Sequence, residues 1–243
     1  MKNLYESIFA ESIFTTNTKT ISDAVSKKCK KWGYEDKGDY EQAYIDCDNN
    51  DINGYIIWPK SNKTTIHITS KMISFLQKYT SEVCAVIYIC PIGGKKLYDK
   101  GDITLHFDSD LSNDRGHLFI VWGGSKKGTL TVSGGDLTLK ELNIRSNDNI
   151  QQYPQITSIF DFIDATDKDR GILAGCLWER SDNKYDIILS SNITAHYIDV
   201  QGERSTTVTI YGIIDIDGKP IPLLDLGQAK LIDKSNNDYE KFI

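Results

Sequence analysis

The apolar positions along this chain change their period near residue 55. Upstream they recur at helical spacing. In "MKNLYESIFAESIF", Leu4 falls over Ile8, Tyr5 over Phe9 and Phe9 over Ile13, while Lys2 and Glu6 point elsewhere. Residues four apart share a helix face. The repeated Glu-Ser-Ile-Phe therefore lengthens one apolar stripe and is not itself a structural period. The polar "TTNTKT" that follows reads as a tether, so residues 1–20 are expected to form an amphipathic docking segment, with Leu4, Tyr5, Ile8, Phe9 and Ile13 as its interface. A second short helix is expected from Ser22 as N-cap, with Ile21, Val25 and Trp32 as its apolar face and Gly33 as its stop. An acidic, Asx-rich loop completes a region at 21–54.

Beyond residue 55 the pattern alternates. "GYIIWP", "TTIHIT", "EVCAVIYIC", "GDITLHFDSD", "HLFIVWGG" and "GILAGCLW" read as strands. "SKMISFLQKY" reads as a short helix capped by Ser70 with Met72, Ile73, Leu76 and Tyr79 inward, and "YPQITSIFDFIDAT" as a helical interruption. Three later segments share one form: a short alternating strand, a small residue or αL-tolerant break, and a second alternating strand. In "GTLTVSGGDLTLKELNI" the break is Gly134-Gly135, in "YDIILSSNITAHYIDV" it is Ser191-Asn192, and in "TTVTIYGIIDIDG" it is Gly212. Residues 55–243 are thus expected to be a β-rich body. The fold class is mainly β with short N-terminal helices. An antiparallel sandwich or barrel whose hairpins turn at those breaks is the favoured arrangement, and a parallel β-helix is the alternative.

Two resemblances add to this. Gly128 to Ile144, "GTLTVSGGDLTLKELNI", resembles a coil of the right-handed parallel β-helix proteins of the pectate-lyase-like superfamily, which implies stacked short strands around one core. The opening "MKNLYESIF" resembles the first peptide of many uncharacterised proteins encoded by gut bacteriophages. It implies a virion or phage-accessory origin and no catalytic role.

Charge and cysteine usage narrow the partners. With a formal net charge of -6, the surrounding field is mildly negative, which disfavours nucleic acid and anionic membrane as partners. The basic "SKKCKKW" reads as a solvated helix face. The five cysteines include no Cys-x-x-Cys pair and, with four scattered histidines, build no zinc spacing, so no metal or cofactor is expected. No signal peptide is read in the opening stretch, and the longest apolar run, the eight residues of "VCAVIYIC", is too short to span a bilayer as a helix. The expected location is a virion or the cytoplasm.

Candidate chemistry is sparse. On a strand, His106, Asp108 and Asp110 of "LHFDSD" would project from one face at steps of about 6–7 Å, a spacing able to bind a cation or to work as acid and base on a glycosidic bond. Trp58, Trp122 and Trp178 each end a strand-like run and could line a sugar-stacking rim. "DCDNNDING" and "DATDKDRG" read as Asx-rich loops, since the first lacks the Glu that closes a calcium loop. Phosphate-cradling, Gly-x-Ser-x-Gly and His-Glu-x-x-His patterns are missing. The expected function is a non-enzymatic structural or binding protein that self-associates or assembles into a larger particle. A glycan-binding or glycan-cleaving protein and an intracellular inhibitor of a host protein are the alternatives.

Overall fold

The structure is a computed structural model that describes residues 31–46, 52–77, 84–92, 101–124, 127–147, 158–159, 161–162, 185–200, 206–216 and 223–235. In chain order its elements begin with β1 (Lys31–Asp36), β2 (Tyr40–Asp46), β3 (Ile52–Pro59), β4 (Lys63–Ile68), α1 (Ser70–Leu76) and β5 (Cys84–Ile89). They continue with β6 (Gly101–Phe107), β7 (Leu111–Gly123), β8 (Gly128–Gly134), β9 (Leu137–Asn147) and β10 (Asp186–Leu189). The last are β11 (Ile193–Val200), β12 (Thr207–Ile210), β13 (Ile214–Ile216), β14 (Leu223–Asp225) and β15 (Lys230–Asp233).

The body is mainly β. From β3 to β13 successive strands alternate between two sheets, which we call A and B, and each pairs in parallel with the strand two further along. Sheet A runs β1-β2-β3-β5-β7-β9-β11-β13, with β14 also on β11, and sheet B runs β15-β12-β10-β8-β6-β4. Stacked coils of this kind form a two-sheet parallel solenoid. The expected antiparallel sandwich or barrel is therefore corrected. Antiparallel pairing is confined, among the described strands, to β1 with β2 and β2 with β3, and no sheet closes on itself. The reason is that the breaks at Gly134-Gly135, Ser191-Asn192 and Gly212 are corners that carry the chain from sheet B to sheet A, not hairpin turns within one sheet.

Each coil contributes alternating residues to one shared core. Ile66, Leu105, Val132, Leu189 and Ile210 stand in register across sheet B, all fully buried. Leu118, Leu142, Ile198 and Leu224 form the facing row in sheet A. Each such side chain gains about 1.5–3 kcal/mol from leaving water, and like stacks on like for the length of the solenoid.

The corners hold the coils at this spacing. Asp110 Oδ1 accepts the amide of Asp136 at 2.9 Å, Asp136 Oδ1 accepts Asn192 Nδ2 at 2.9 Å, and Asn192 Oδ1 accepts the amide of Ile213 at 3.0 Å. The three rungs of this Asx ladder join four corners in turn. Beside it there is no room for a side chain. A Cβ on Gly212 would lie 2.0 Å from the Ser191 carbonyl oxygen, and one on Gly134, which also holds φ at +98°, would lie 2.2 Å from that of Phe107.

The region before the body also differs from expectation. Residues 1–30, with the proposed interface of Leu4, Tyr5, Ile8, Phe9 and Ile13, lie outside the described residues. Trp32 and Gly33, expected to end a helix, lie in β1, and the described part of the expected acidic loop up to Asp46 forms the β1–β2 hairpin, residues 47–51 lying outside the described residues. Its turn is local chemistry: Gly38 sits at φ 87° and donates its amide to Asp36 Oδ1 at 2.8 Å, while Lys37 donates to the Tyr40 carbonyl at 2.9 Å. The helix α1 starts one residue earlier than expected, because Thr69 rather than Ser70 is its N-cap and accepts the Met72 amide at 3.4 Å. Met72, Ile73 and Leu76 are buried as expected. Within the expected interruption, Ser158 caps a helical turn by accepting the Asp161 amide on its hydroxyl and that of Phe162 on its carbonyl.

Two substitutions test the corner. Gly212→Ala should lower stability by about 3 kcal/mol, because the obstructing atoms are backbone and have little room to yield. Asn192→Ala, which breaks two rungs, should cost about 1–3 kcal/mol. Both are read as a lower denaturation midpoint at unchanged slope.

Candidate functional site

The constellation expected at His106, Asp108 and Asp110 is divided by the corner. Strand β6 ends at Phe107, so only His106 keeps an outward strand position. Asp108 turns across to the neighbouring coil, where its Oδ1 lies 2.8 Å from His67 Nδ1, and Asp110 is a rung of the Asx ladder. His106 Nδ1 instead meets Ser133 Oγ at 3.2 Å, with its ring 5.4 Å from that of His67 at an interplanar angle of 71°. The three residues do not converge on one point, and the His67–Asp108 pair, with side chains 55 % and 34 % exposed, is of the kind worth at most about 1 kcal/mol. Among the described residues, no group of three or more His, Cys, Asp or Glu could hold a metal ion.

Of the three candidate tryptophans, the two described are largely buried. Trp122 is 1 % exposed and points into the core beside Ile89, with Tyr185 edge-on at 6.2 Å. Trp58 is 8 % exposed. The expected stacking platform therefore has little exposed ring at these two positions. Trp178 lies outside the described residues.

A different cluster forms on the outer face of sheet A. Strand β7 carries an irregularity in which the step from Asn113 to His117 opposes the shorter step from Leu139 to Glu141 on β9. The same position divides β11, which pairs with β13 through Ile193–Ala195 and with β14 through Tyr197–Asp199. Just past this break, outward positions of successive coils stack. His117, Glu141 and Tyr197 form one row, and Phe119, Asn143, Asp199 and Asp225 the next. Val121 and Arg145 begin a third. Alternation in "HLFIVW", "KELNIRS" and "HYIDV" puts these side chains opposite the core residues Leu118, Leu142 and Ile198, so the face follows from the period.

The cluster is tightly organised. His117 Nδ1 lies 2.6 Å from Glu141 Oε2, and Asn143 Nδ2 donates to Glu141 Oε1 at 2.8 Å, so both carboxylate oxygens are engaged. Arg145 approaches Asp199 at 3.9 Å and lies 5.0 Å over the Phe119 ring. Among its buried atoms, His117 Nε2 and Asn143 Oδ1 have no hydrogen-bond partner. An unmet buried polar group costs about 1–3 kcal/mol. The apolar part of the same face is covered: Ile56, Val86, Tyr88 and Val121 are buried, and Phe162 stacks on Tyr88 at 5.0 Å. The polar cluster therefore borders a closed hydrophobic patch, with its own side chains still partly open to solvent.

Tyr197 reports the electrostatics of the place. Burial first, then the carboxylates of Asp199, Asp225 and Glu141, raise its pKa above the ordinary 10.0, while Arg145 opposes them. The sequence reading passed over this cluster because each strand alone shows only ordinary alternation. The signal was a run of polar residues at outward positions of β9 and β11 with His117 on β7, and only their register brings those residues together. A scan of protein-family models gives no match for the chain, and searches of curated proteins and of solved structures give none either.

Absorbance at 295 nm, taken as wild type minus Tyr197→Phe, should show this phenol ionising above pH 10, and Arg145→Gln should push it higher still. The neutral phenol is the form the fold favours. Its stabilising contribution is thus present below the unfolded value of about 10 and is lost as the pH rises through the folded one.

Proposed function

We propose that this chain is a non-enzymatic binding and structural protein, a rigid solenoid attached to a larger assembly, with a bacteriophage virion or accessory role as the setting. The observation that supports binding over catalysis is the saturation of the sheet A cluster. Glu141 is held on both oxygens and Asp199 faces Arg145, so neither carboxylate stands ready as an acid or base. A glycan-cleaving reading at His106, Asp108 and Asp110 would require two carboxylates flanking one bond. Asp108 is taken by His67 and Asp110 by the Asp136 amide, which again favours binding.

Attachment is assigned to residues 1–20, on the apolar stripe of Leu4, Tyr5, Ile8, Phe9 and Ile13. The likeness of "MKNLYESIF" to phage proteins supports the particle as partner, and protein rather than nucleic acid or membrane suits the net charge of -6. Deleting residues 2–20 should leave a folded, strand-rich body, by far-UV dichroism, that no longer co-sediments with its assembly. Undiminished co-sedimentation would remove the docking role.

A further inference from the structure

Of the chain's four histidines, two are direct neighbours: His67 on β4 stands opposite His106 on β6, both outward on sheet B. This side of the solenoid is accessible, with the side chain of His67 55 % exposed and that of His106 half-buried. Each ring is held from one side. His67 Nδ1 meets Asp108 Oδ1 at 2.8 Å, and His106 Nδ1 meets Ser133 Oγ at 3.2 Å. The nitrogen that each ring presents to a ligand is therefore Nε2, the one further from the backbone.

We propose that His67 and His106 chelate one zinc ion through their Nε2 atoms, with Asp108 orienting His67 from behind and water filling the remaining positions. The inference goes beyond the reading of the chain as a docked solenoid and needs nothing from it. Distance is the first support. On a tetrahedral ion with Zn–N bonds of about 2.0–2.1 Å, two imidazole ring centres stand about 5 Å apart. The centres of His67 and His106 are 5.4 Å apart, with the rings at 71° to each other. Strand register thus supplies the separation that the chelate needs without moving the backbone.

The surroundings of the rings are the second support. A metal-bound histidine characteristically gives its other ring N–H to a carboxylate, which fixes its orientation and raises its basicity. Asp108 stands in that relation to His67. The mounting is also rigid. The buried Tyr40 accepts the His67 amide on its hydroxyl at 3.3 Å, and His106 lies in mid-sheet between β4 and β8. An ion displaces any hydrogen from the nitrogen it takes, so the site does not depend on which form the ring has beforehand.

Donor chemistry selects the ion. Imidazoles suit zinc, copper and nickel, whereas calcium and magnesium take oxygen ligands. Among the described residues no third His, Cys, Asp or Glu completes the group. The ion therefore keeps open positions and binds more weakly than in a closed four-ligand structural site.

The test is calorimetric titration of the full chain with zinc chloride at neutral pH, with calcium and magnesium as controls. Zinc should bind and the controls should not. Affinity should fall at least tenfold in His67→Phe and in His106→Phe, and about tenfold in Asp108→Asn. All three positions point outward, so the far-UV spectrum and the zinc-free denaturation midpoint should stay close to those of the wild type. In proton NMR, substoichiometric copper(II) should broaden the imidazole resonances of His67 and His106 together, ahead of those of His117 and His196. Silence towards zinc, unchanged affinity in either phenylalanine variant, or broadening centred on His117 or His196 would each overturn the proposal. Unchanged affinity in Asp108→Asn would overturn its orienting role.

Discussion

The close approach of successive coils at the corners is the constraint on which the rest of this structure depends. Where the chain leaves sheet B for sheet A, backbone meets backbone with no space for a Cβ at Gly134, Gly135 or Gly212. The ladder of Asp110, Asp136 and Asn192 then ties each corner to the next. Contact of this kind fixes both the distance between coils and the residue that stands over each residue. A shift of one position would turn every inward side chain outward, so the corner chemistry and the apolar rows enforce the same register from two directions.

Register is what converts a repetitive pattern into a site. Every strand has an outward face, and on sheet B that face is bland and for the most part half-buried: Thr65, Thr104, Thr131 and Thr209 lie along one row, interrupted by Ile188. On sheet A the same arithmetic gathers His117, Glu141 and Tyr197, and next to them Asn143 and Asp199. The irregularity before His117 sits directly beside this group, the position at which an extra residue in a strand re-aims its neighbours. Burying such groups is costly unless they meet partners. Here His117, Arg145 and Asn143 supply partners to the carboxylates of Glu141 and Asp199, while His117 Nε2 and Asn143 Oδ1 are left without one.

Much of the body was legible in the sequence, for stated reasons. The alternation that placed Leu130, Val132, Leu137 and Leu139 inward, and the strand-break-strand form of three segments, survive in the structure because burial of one face imposes period two. Parallel stacking was not legible, since an antiparallel sandwich buries the same alternate residues. What separates the two folds is the identity of each strand's neighbour. That identity was masked by unequal spacing, above all the stretch from β9 to β10, from which Ile159 and Phe162 reach buried positions. His106, Asp108 and Asp110 misled because strand geometry was extended past Phe107, where the corner redirects the chain. Trp122 misled because a residue at the end of a strand can still point inward when the next strand closes over it.

The two outer faces also differ in what their polar groups cost the fold. Exposed hydroxyls and charges on sheet B are what any solvated strand carries, and their removal would change stability little. A buried imidazole nitrogen and a buried amide oxygen with nothing to bond are different, because each lowers stability for as long as it is unmet, and an apolar residue of similar shape would relieve the cost. Leucine at position 143 would pack against Val86 and Phe119's row as readily as the neighbours already do. Asparagine does there what leucine cannot: its nitrogen holds the Glu141 carboxylate that also meets His117, which offsets part of the cost of its unmet oxygen.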